Sequence, residues 1–227
     1  MATPYSVTRL QVARSTQDVA RGSYSEAPVL VVADRQDEGR GRSGAPWLNA
    51  DRAVAMSLLF EPDWPRDAWG LIPLAAGVVV ARGNGALLKW PNDIVSADGR
   101  KLGGILVETS TDGPVVVGVG LNLWWQEPPE GIAGIHLEDP GPSAADAVAR
   151  AFADQLLEIV TALPDRWPRD EYLDRCVTIG ARITWDRDGS GLATDIAEDG
   201  GLIVDTTEGR RVLRSGEIRH VRSYSEK

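Results

Sequence analysis

One cysteine and two histidines in 227 residues leave several kinds of chemistry without their usual carriers. Cys176 alone cannot close an internal disulfide or build a thiolate metal cluster, and His136 and His220 are too few for a multi-histidine centre. Its neighbours Leu173 and Val177 describe a quiet, part-buried thiol rather than a nucleophile. No apolar run nears the roughly 18 residues that a membrane span needs. The opening Met-Ala-Thr-Pro-Tyr-Ser lacks a basic flank followed by an apolar core, so neither a signal peptide nor a transit peptide is expected, and the reading is cytoplasmic. Positive charge is also scarce. With 24 Lys and Arg against 33 Asp and Glu the formal charge is −9, which argues against a general binder of nucleic-acid backbones. Any phosphate must be met by a few placed cations.

What is present centres on Leu87 to Glu108, two apolar segments joined by a polar turn, with Lys89 and Lys101 near their starts. Asp98-Gly99 suits a hairpin turn, because glycine accepts the positive φ such a turn needs. Gly103-Gly104 is a weak pair for a strand interior and points either to a ligand lying against the strand or to a packed neighbour. Trp90-Pro91-Asn92-Asp93 breaks a strand with a residue that lacks an amide donor, then offers an amide and a carboxylate side by side.

Before that stretch, Ser6 to Val12 reads as a strand, and Ser15-Thr16 opens a short helix in which a hydroxyl caps orphan amides or holds a polar ligand head. Pro28 to Ala33 is a continuous apolar run and hence a strand covered on both faces. Asp34 to Trp47, with three glycines, one proline and no apolar period, is a loop. Arg40 and Arg42 in it could fork onto an oxyanion. Ala53 to Phe60 is a further strand, and Leu71 to Arg82 a helix ended by Gly83 to Gly85. Val115 to Leu123 is a buried strand with spaced glycines and Asn122 at its end. Ser143 begins a helix, with Asp146 as a capping-box relative and Ala147, Val148, Ala151, Phe152, Leu156, Ile159, Val160 and Leu163 as its apolar face. A shorter helix spans Arg169 to Arg175. From Thr178 onward five short strands, with turns at Asp188-Gly189, Asp199-Gly200 and Glu208-Gly209, describe a small SH3-like barrel. This places a boundary near Cys176, between residues 1–176 and 177–227.

Ser15-Thr16-Gln17, Gln36 with Gly39-Arg40-Gly41-Arg42, Lys89-Trp90-Pro91-Asn92-Asp93, Lys101 to Glu108 and Gly118-Val119-Gly120-Leu121-Asn122, in that order, resemble the biotin protein ligase family over nearly the whole chain. The resemblance implies an α+β fold, a mixed sheet flanked by helices and followed by the small barrel. It implies a two-step reaction: biotin and ATP, with magnesium accompanying the nucleotide, give biotinyl-5′-adenylate, and a lysine of a biotin carboxyl carrier protein then takes the biotinyl group. Ser15, Thr16, Gln17, Gln36, Arg40, Gly41, Arg42, Lys101, Gly103 and Gly104 would then hold biotin. Arg42, Trp47, Lys89, Asn92, Asn122 and Trp124 or Trp125 would face the nucleotide, with Lys101, Arg42 and Asp93 at the chemistry and no dedicated metal cage. Ser15 lies too near the start for the DNA-binding segment of the family's larger members. The implied partners exclude nucleic acid and membrane and leave room for a homodimer. Ala45-Pro46 departs from a further arginine in the family's loop, and Asn49-Ala50 from its Ser-Pro, so a weakly active or non-catalytic biotin-binding module is an alternative reading, as is a lipoate-type ligase.

The glycine-rich loop has few apolar residues to hold it, so saturating biotin and ATP should slow its proteolytic cleavage between residues 34 and 47. Limited proteolysis with and without the ligands checks this, and an unchanged cleavage rate would discount a closing loop.

Overall fold

A computed structural model describes residues 5–23, 28–109, 113–186, 189–214 and 218–220, with Ser43, Arg219 and His220 described by backbone alone. The first seven strands are β1 (Ser6–Ala13), β2 (Val29–Gln36), β3 (Arg52–Phe60), β4 (Leu87–Lys89), β5 (Asp93–Val95), β6 (Lys101–Thr109) and β7 (Val115–Trp124). They form one sheet in the order β1-β2-β3-β7-β6-β5-β4. Only β1 and β2 run parallel, because the helix α1 (Thr16–Gly22) carries the chain back between them. All other pairs are antiparallel.

The period-two alternation of the strands sorts side chains onto two faces. On one face Leu30, Val32, Met56, Leu58, Phe60, Ile105, Val119 and Leu121 pack against the helices α2 (Ile72–Asn84) and α3 (Ala144–Thr161) in the main core. On the other, Val29, Val31, Leu59 and Val116 pack against Ala20 of α1. The apolar run of β2 is therefore buried on both sides, as its lack of polar residues requires. The helix α4 (Arg169–Arg175) leads to a second, five-stranded antiparallel sheet in the order β11-β10-β9-β8-β12, made of β8 (Arg182–Trp185), β9 (Gly189–Ile196), β10 (Leu202–Thr206), β11 (Gly209–Leu213) and β12 (Ile218–His220). Gly200 and Gly209 take positive φ at its turns. Asp188, expected at a turn, lies outside the described residues.

Four local expectations change. Leu87 to Glu108 is a three-stranded meander instead of one hairpin, because Trp90-Pro91-Asn92 makes its own turn between β4 and β5 before the Asp98-Gly99 turn follows. Ser15 and Ser143 occupy N-cap positions, yet neither side chain caps. Asp146 pairs instead with Arg9 of β1 at 2.6 Å, which anchors α3 to the sheet edge. The buried face of α3 is Ala145, Ala149, Phe152, Ala153, Leu156, Leu157 and Val160, whereas Ala147, Ala151 and Leu163 face outward. Small alanines on both sides of the helix blur its apolar stripe, and close approach to the sheet selects the other set.

The crossover after β7 is fastened by an ion pair. Arg52 donates from Nε and Nη2 to the two Asp139 oxygens at 2.9 and 2.7 Å, and the Gly141 amide adds a bond of 2.9 Å. These donors, the Arg52 bond foremost, hold the Asp139 carboxyl at about 2, below its ordinary 3.8. A depressed carboxylate stabilises the fold above its unfolded value and loses that contribution as pH falls toward the folded one. The stability gap between wild type and Asp139→Asn should therefore be full at pH 6 and close between about pH 4 and pH 2. Urea unfolding across that range measures it, and a gap independent of pH would remove the ion pair as its source.

Candidate functional site

On the α1 side of the sheet, alternation and register align Ser57 of β3, Gly118 and Gly120 of β7, and Gly104 and Leu106 of β6. Gly104, Gly118 and Gly120 leave a floor without bulk, and above it opens a cavity of about 660 Å³. Its walls come from α1, from the loop after β2, from the β4–β5 turn, and from Asn122, Trp125, Ile132 and Ile218.

The glycines make room for named side chains. A Cβ on Gly120 would lie 2.6 Å from the Trp47 ring, and one on Gly118 would lie 3.0 Å from Gln17. Gln17 is 5% exposed and donates from Nε2 to the Leu106 carbonyl at 3.0 Å, which fixes α1 over the strands. At this end the polar set carries no formal charge. The Thr16 amide and hydroxyl both donate to Gln36 Oε1, at 2.7 and 3.1 Å, and Ser57 Oγ lies 2.7 Å from Thr16 Oγ1. Gln36 in turn is held by Asn49, whose amide exchanges two bonds with the Gln36 backbone at 3.0 and 2.8 Å.

Cations gather toward the middle. Lys101 Nζ lies 2.6 Å from Asp93 Oδ1, above Gly104. Asn92 is pinned to β6, with Nδ2 donating to the Ile105 carbonyl at 2.8 Å and its own carbonyl accepting from the Ile105 amide at 2.9 Å. Its remaining Oδ1 accepts from Arg42 Nη1 at 3.3 Å. Lys89, on the same face as Asp93, makes no ion pair among the described residues. Arg40 is tied to Asp18 of α1 at 2.8 Å, a bond that pushes the guanidinium further above its ordinary value. The loop that carries both arginines is folded. Arg40 bridges Pro46, the Gly41 amide donates to the Ala45 carbonyl at 2.7 Å, and a 3-10 turn spans Arg42–Gly44.

Three buried polar atoms here have no partner among the described residues: Trp47 Nε1, Asn122 Oδ1 and Trp125 Nε1. Buried polar groups are seldom left unpaired without cost, so these are built to meet something that enters the cavity. Asp93 is the one carboxylate among the cavity residues, and among the described residues no three His, Cys, Asp or Glu side chains gather for a metal.

Of the residues singled out in the sequence, the structure brings Ser15, Thr16, Gln17, Gln36, Arg40, Gly41, Arg42, Trp47, Lys89, Asn92, Asp93, Lys101, Gly104, Asn122 and Trp125 to this cavity. It does not bring Gly103 or Trp124. Gly103 points to the opposite face, where a Cβ would stand 2.5 Å from the Gly120 carbonyl, so it serves close strand packing. Trp124 ends β7 opposite Arg52, and the turn after it delivers the next indole instead.

Sequence reasoning missed Ser57 and Ile218, and named Trp90 and Asn49 without giving either a role at the site. Ser57 had a signal: one hydroxyl in the otherwise apolar run from Ala53 to Phe60 must find a buried partner. Trp90, 2% exposed, donates from its amide to Thr178 Oγ1 and from Nε1 to the Gly200 carbonyl, each at 3.1 Å. It ties the β4–β5 turn to the second sheet.

A mixed sheet bearing a neutral polar pocket beside clustered cations, followed by a small β-sheet domain, defines a ligase catalytic domain of the biotin and lipoate type. Residues 10–122 match the biotin/lipoate A/B protein ligase family and residues 182–221 the biotin protein ligase C-terminal domain. The biotin--[acetyl-CoA-carboxylase] ligase of Mycobacterium tuberculosis is 34% identical over 217 residues, covering 86% of this chain and 79% of that one. The enzyme of the same name from Paracoccus denitrificans is 30% identical, over 83% of this chain and 88% of its own. The structure of the Aquifex aeolicus biotin protein ligase in complex with biotin and ATP superposes with a TM-score of 0.76 at 25% identity, covering 96% of this chain and 99% of that one. The chain belongs to the biotin protein ligase family.

The paired glycines separate packing from binding. Gly103→Ala drives a methyl into backbone and overpacks the sheet, which typically costs about 1–3 kcal/mol and should lower the melting temperature by at least about 2 °C. Gly104→Ala meets nothing closer than 3.7 Å and should keep wild-type stability while weakening ligand binding. Thermal melts and ligand titration on both variants check this, and the reverse pattern would misplace the floor of the cavity.

Proposed function

We propose that this chain activates biotin with ATP to biotinyl-5′-adenylate and transfers the biotinyl group to a lysine of a biotin carboxyl carrier protein. The observation that carries the reading is the division of one cavity into an uncharged hydrogen-bonding end and a cationic centre. Biotin has the same division: a cyclic urea with two N–H donors and one carbonyl, then an apolar chain, then a carboxylate. Lipoate ends in a dithiolane that has neither N–H nor carbonyl and would leave the remaining Thr16 Oγ1 lone pair and the Gln36 Nε2 donors unmet, and buried polar groups left unmet discriminate strongly. The match to a biotin ligase C-terminal domain also favours biotin.

In this reading the biotin carboxylate oxygen attacks the α-phosphorus of ATP and pyrophosphate leaves. Two anions must approach, so Lys101 sits between carboxylate and phosphate, Arg42 clamps the phosphate from the folded loop, and Asp93 orients Lys101 through their ion pair. Trp47, Asn122 and Trp125 offer two donors and one acceptor to the nucleotide, and Lys89 adds charge near its phosphates. A magnesium ion would arrive with the triphosphate, because magnesium keeps several of its waters and is commonly held through substrate phosphates. In the second step the acceptor lysine amine attacks the acyl carbon, the carbon–oxygen bond to phosphate breaks, and AMP leaves. Residues 1–176 carry this chemistry, and residues 177–227 brace it through Trp90 and Ile218.

Biotin-dependent pyrophosphate release from ATP, absent with lipoate, is the deciding measurement. Lys101→Ala and Arg42→Ala should each slow it by about 10²–10³ with the fold intact, the scale for a preorganised charge at a reacting centre. A loss below threefold would reject the assigned roles.

A further inference from the structure

Resting on the biotin reading, the geometry points to Ser57 as the positioning residue that sets the hydrogen-bond polarity of the uncharged end of the cavity. Ser57 sits at the centre of β3, is 0% exposed and does not line the cavity. Among the described residues its hydroxyl has one partner, Thr16 Oγ1 at 2.7 Å.

The direction of that bond follows from counting protons. Gln36 Oε1 is an acceptor only, and it takes both the Thr16 amide at 2.7 Å and the Thr16 hydroxyl at 3.1 Å. The single hydroxyl proton of Thr16 is thereby committed to Gln36. Ser57 must then be the donor to Thr16. The chain reads Ser57 O–H to Thr16 O–H to Gln36 carbonyl, and each link polarises the next.

Two groups are left over. Thr16 Oγ1 keeps one lone pair as an acceptor, and Gln36 Nε2 keeps its donors, with no bond to any described residue. An acceptor beside a donor is the complement of the N–H and C=O of a cyclic urea. Without Ser57 the Thr16 hydroxyl loses the neighbour that holds its rotamer and supplies its polarisation, while Gln17, Lys101 and the nucleotide end stay untouched.

Initial rates of pyrophosphate release test this with Ser57→Ala, Thr16→Val and the double variant, varying biotin at saturating ATP and ATP at saturating biotin. Ser57→Ala should raise the biotin KM about tenfold, equivalent to about 1.4 kcal/mol, with kcat and the ATP KM unchanged. In the Thr16→Val background the same change should add less than twofold, because the effect runs through Thr16. A biotin KM within twofold of wild type, an effect that multiplies in full with Thr16→Val, or an equal rise in both KM values would overturn the proposal. If Ser57→Ala does not fold, Ser57→Cys keeps the volume and a weak donor and should give an intermediate biotin KM; a wild-type value there overturns the proposal too. Wild-type enzyme that shows biotin-dependent release beside an unaffected Ser57 variant defeats the Ser57 role alone, whereas wild type without biotin-dependent release defeats the functional reading and this role with it.

Discussion

Everything at the site depends on side chains that are not there. The three central strands present Ser57, Gly118, Gly120 and Gly104 to one face, and on an ordinary sheet those positions would be filled by the same Val and Leu that fill the opposite one. Removing that bulk costs burial and strand propensity. The loss is offset by the depth of packing on the other face, where α2 and α3 cover an almost unbroken apolar surface. The sheet is thus a solid core on one side and a shaped vacancy on the other.

Into that vacancy the chain projects charge sparingly. A protein with a formal charge of −9 cannot attract triphosphate by its overall field, so the attraction has to be local. Three of the four cations at the cavity come with their own constraint: Lys101 with Asp93, Arg42 with Asn92, Arg40 with Asp18. Such partners keep long, flexible side chains near one geometry before any ligand arrives, and preorganisation of this kind is what makes a fixed charge effective at a developing one.

How much of this was legible in the sequence varied with the range of the interaction. Continuous apolar runs gave β2, β3 and β7 directly, Gly83 to Gly85 gave the end of α2, although the helix runs on through Gly83 and Asn84 to a cap at Gly85, and Arg169 to Arg175 gave α4, since all of these rest on local chemistry. The cap readings at Ser15 and Ser143 missed for the converse reason. A Ser before a helix scores as a cap, but the partners that decide the local bonding, Gln36, Ser57 and Arg9, are brought in by the sheet. Gly103 and Gly104 show the same limit in a single dipeptide: neighbours in sequence, they face opposite layers, and only strand pairing says which one meets a ligand. Trp124 and Trp125 divide likewise, by the point at which β7 stops.

The tie between Trp90 and Gly200 reaches beyond catalysis. Gly70 and Gly200 meet backbone to backbone at this junction, where a Cβ on Gly200 would stand 2.4 Å from the Gly70 carbonyl and one on Gly70 would stand 2.1 Å from the Asp199 carbonyl. Gly200 also needs its positive φ, so neither partner has a conservative replacement. Two positions far apart in the chain are therefore locked as a matched pair. Anyone grafting a C-terminal sheet from a relative onto this catalytic sheet would have to transplant both glycines and the indole together, because the graft fits only as a three-piece joint.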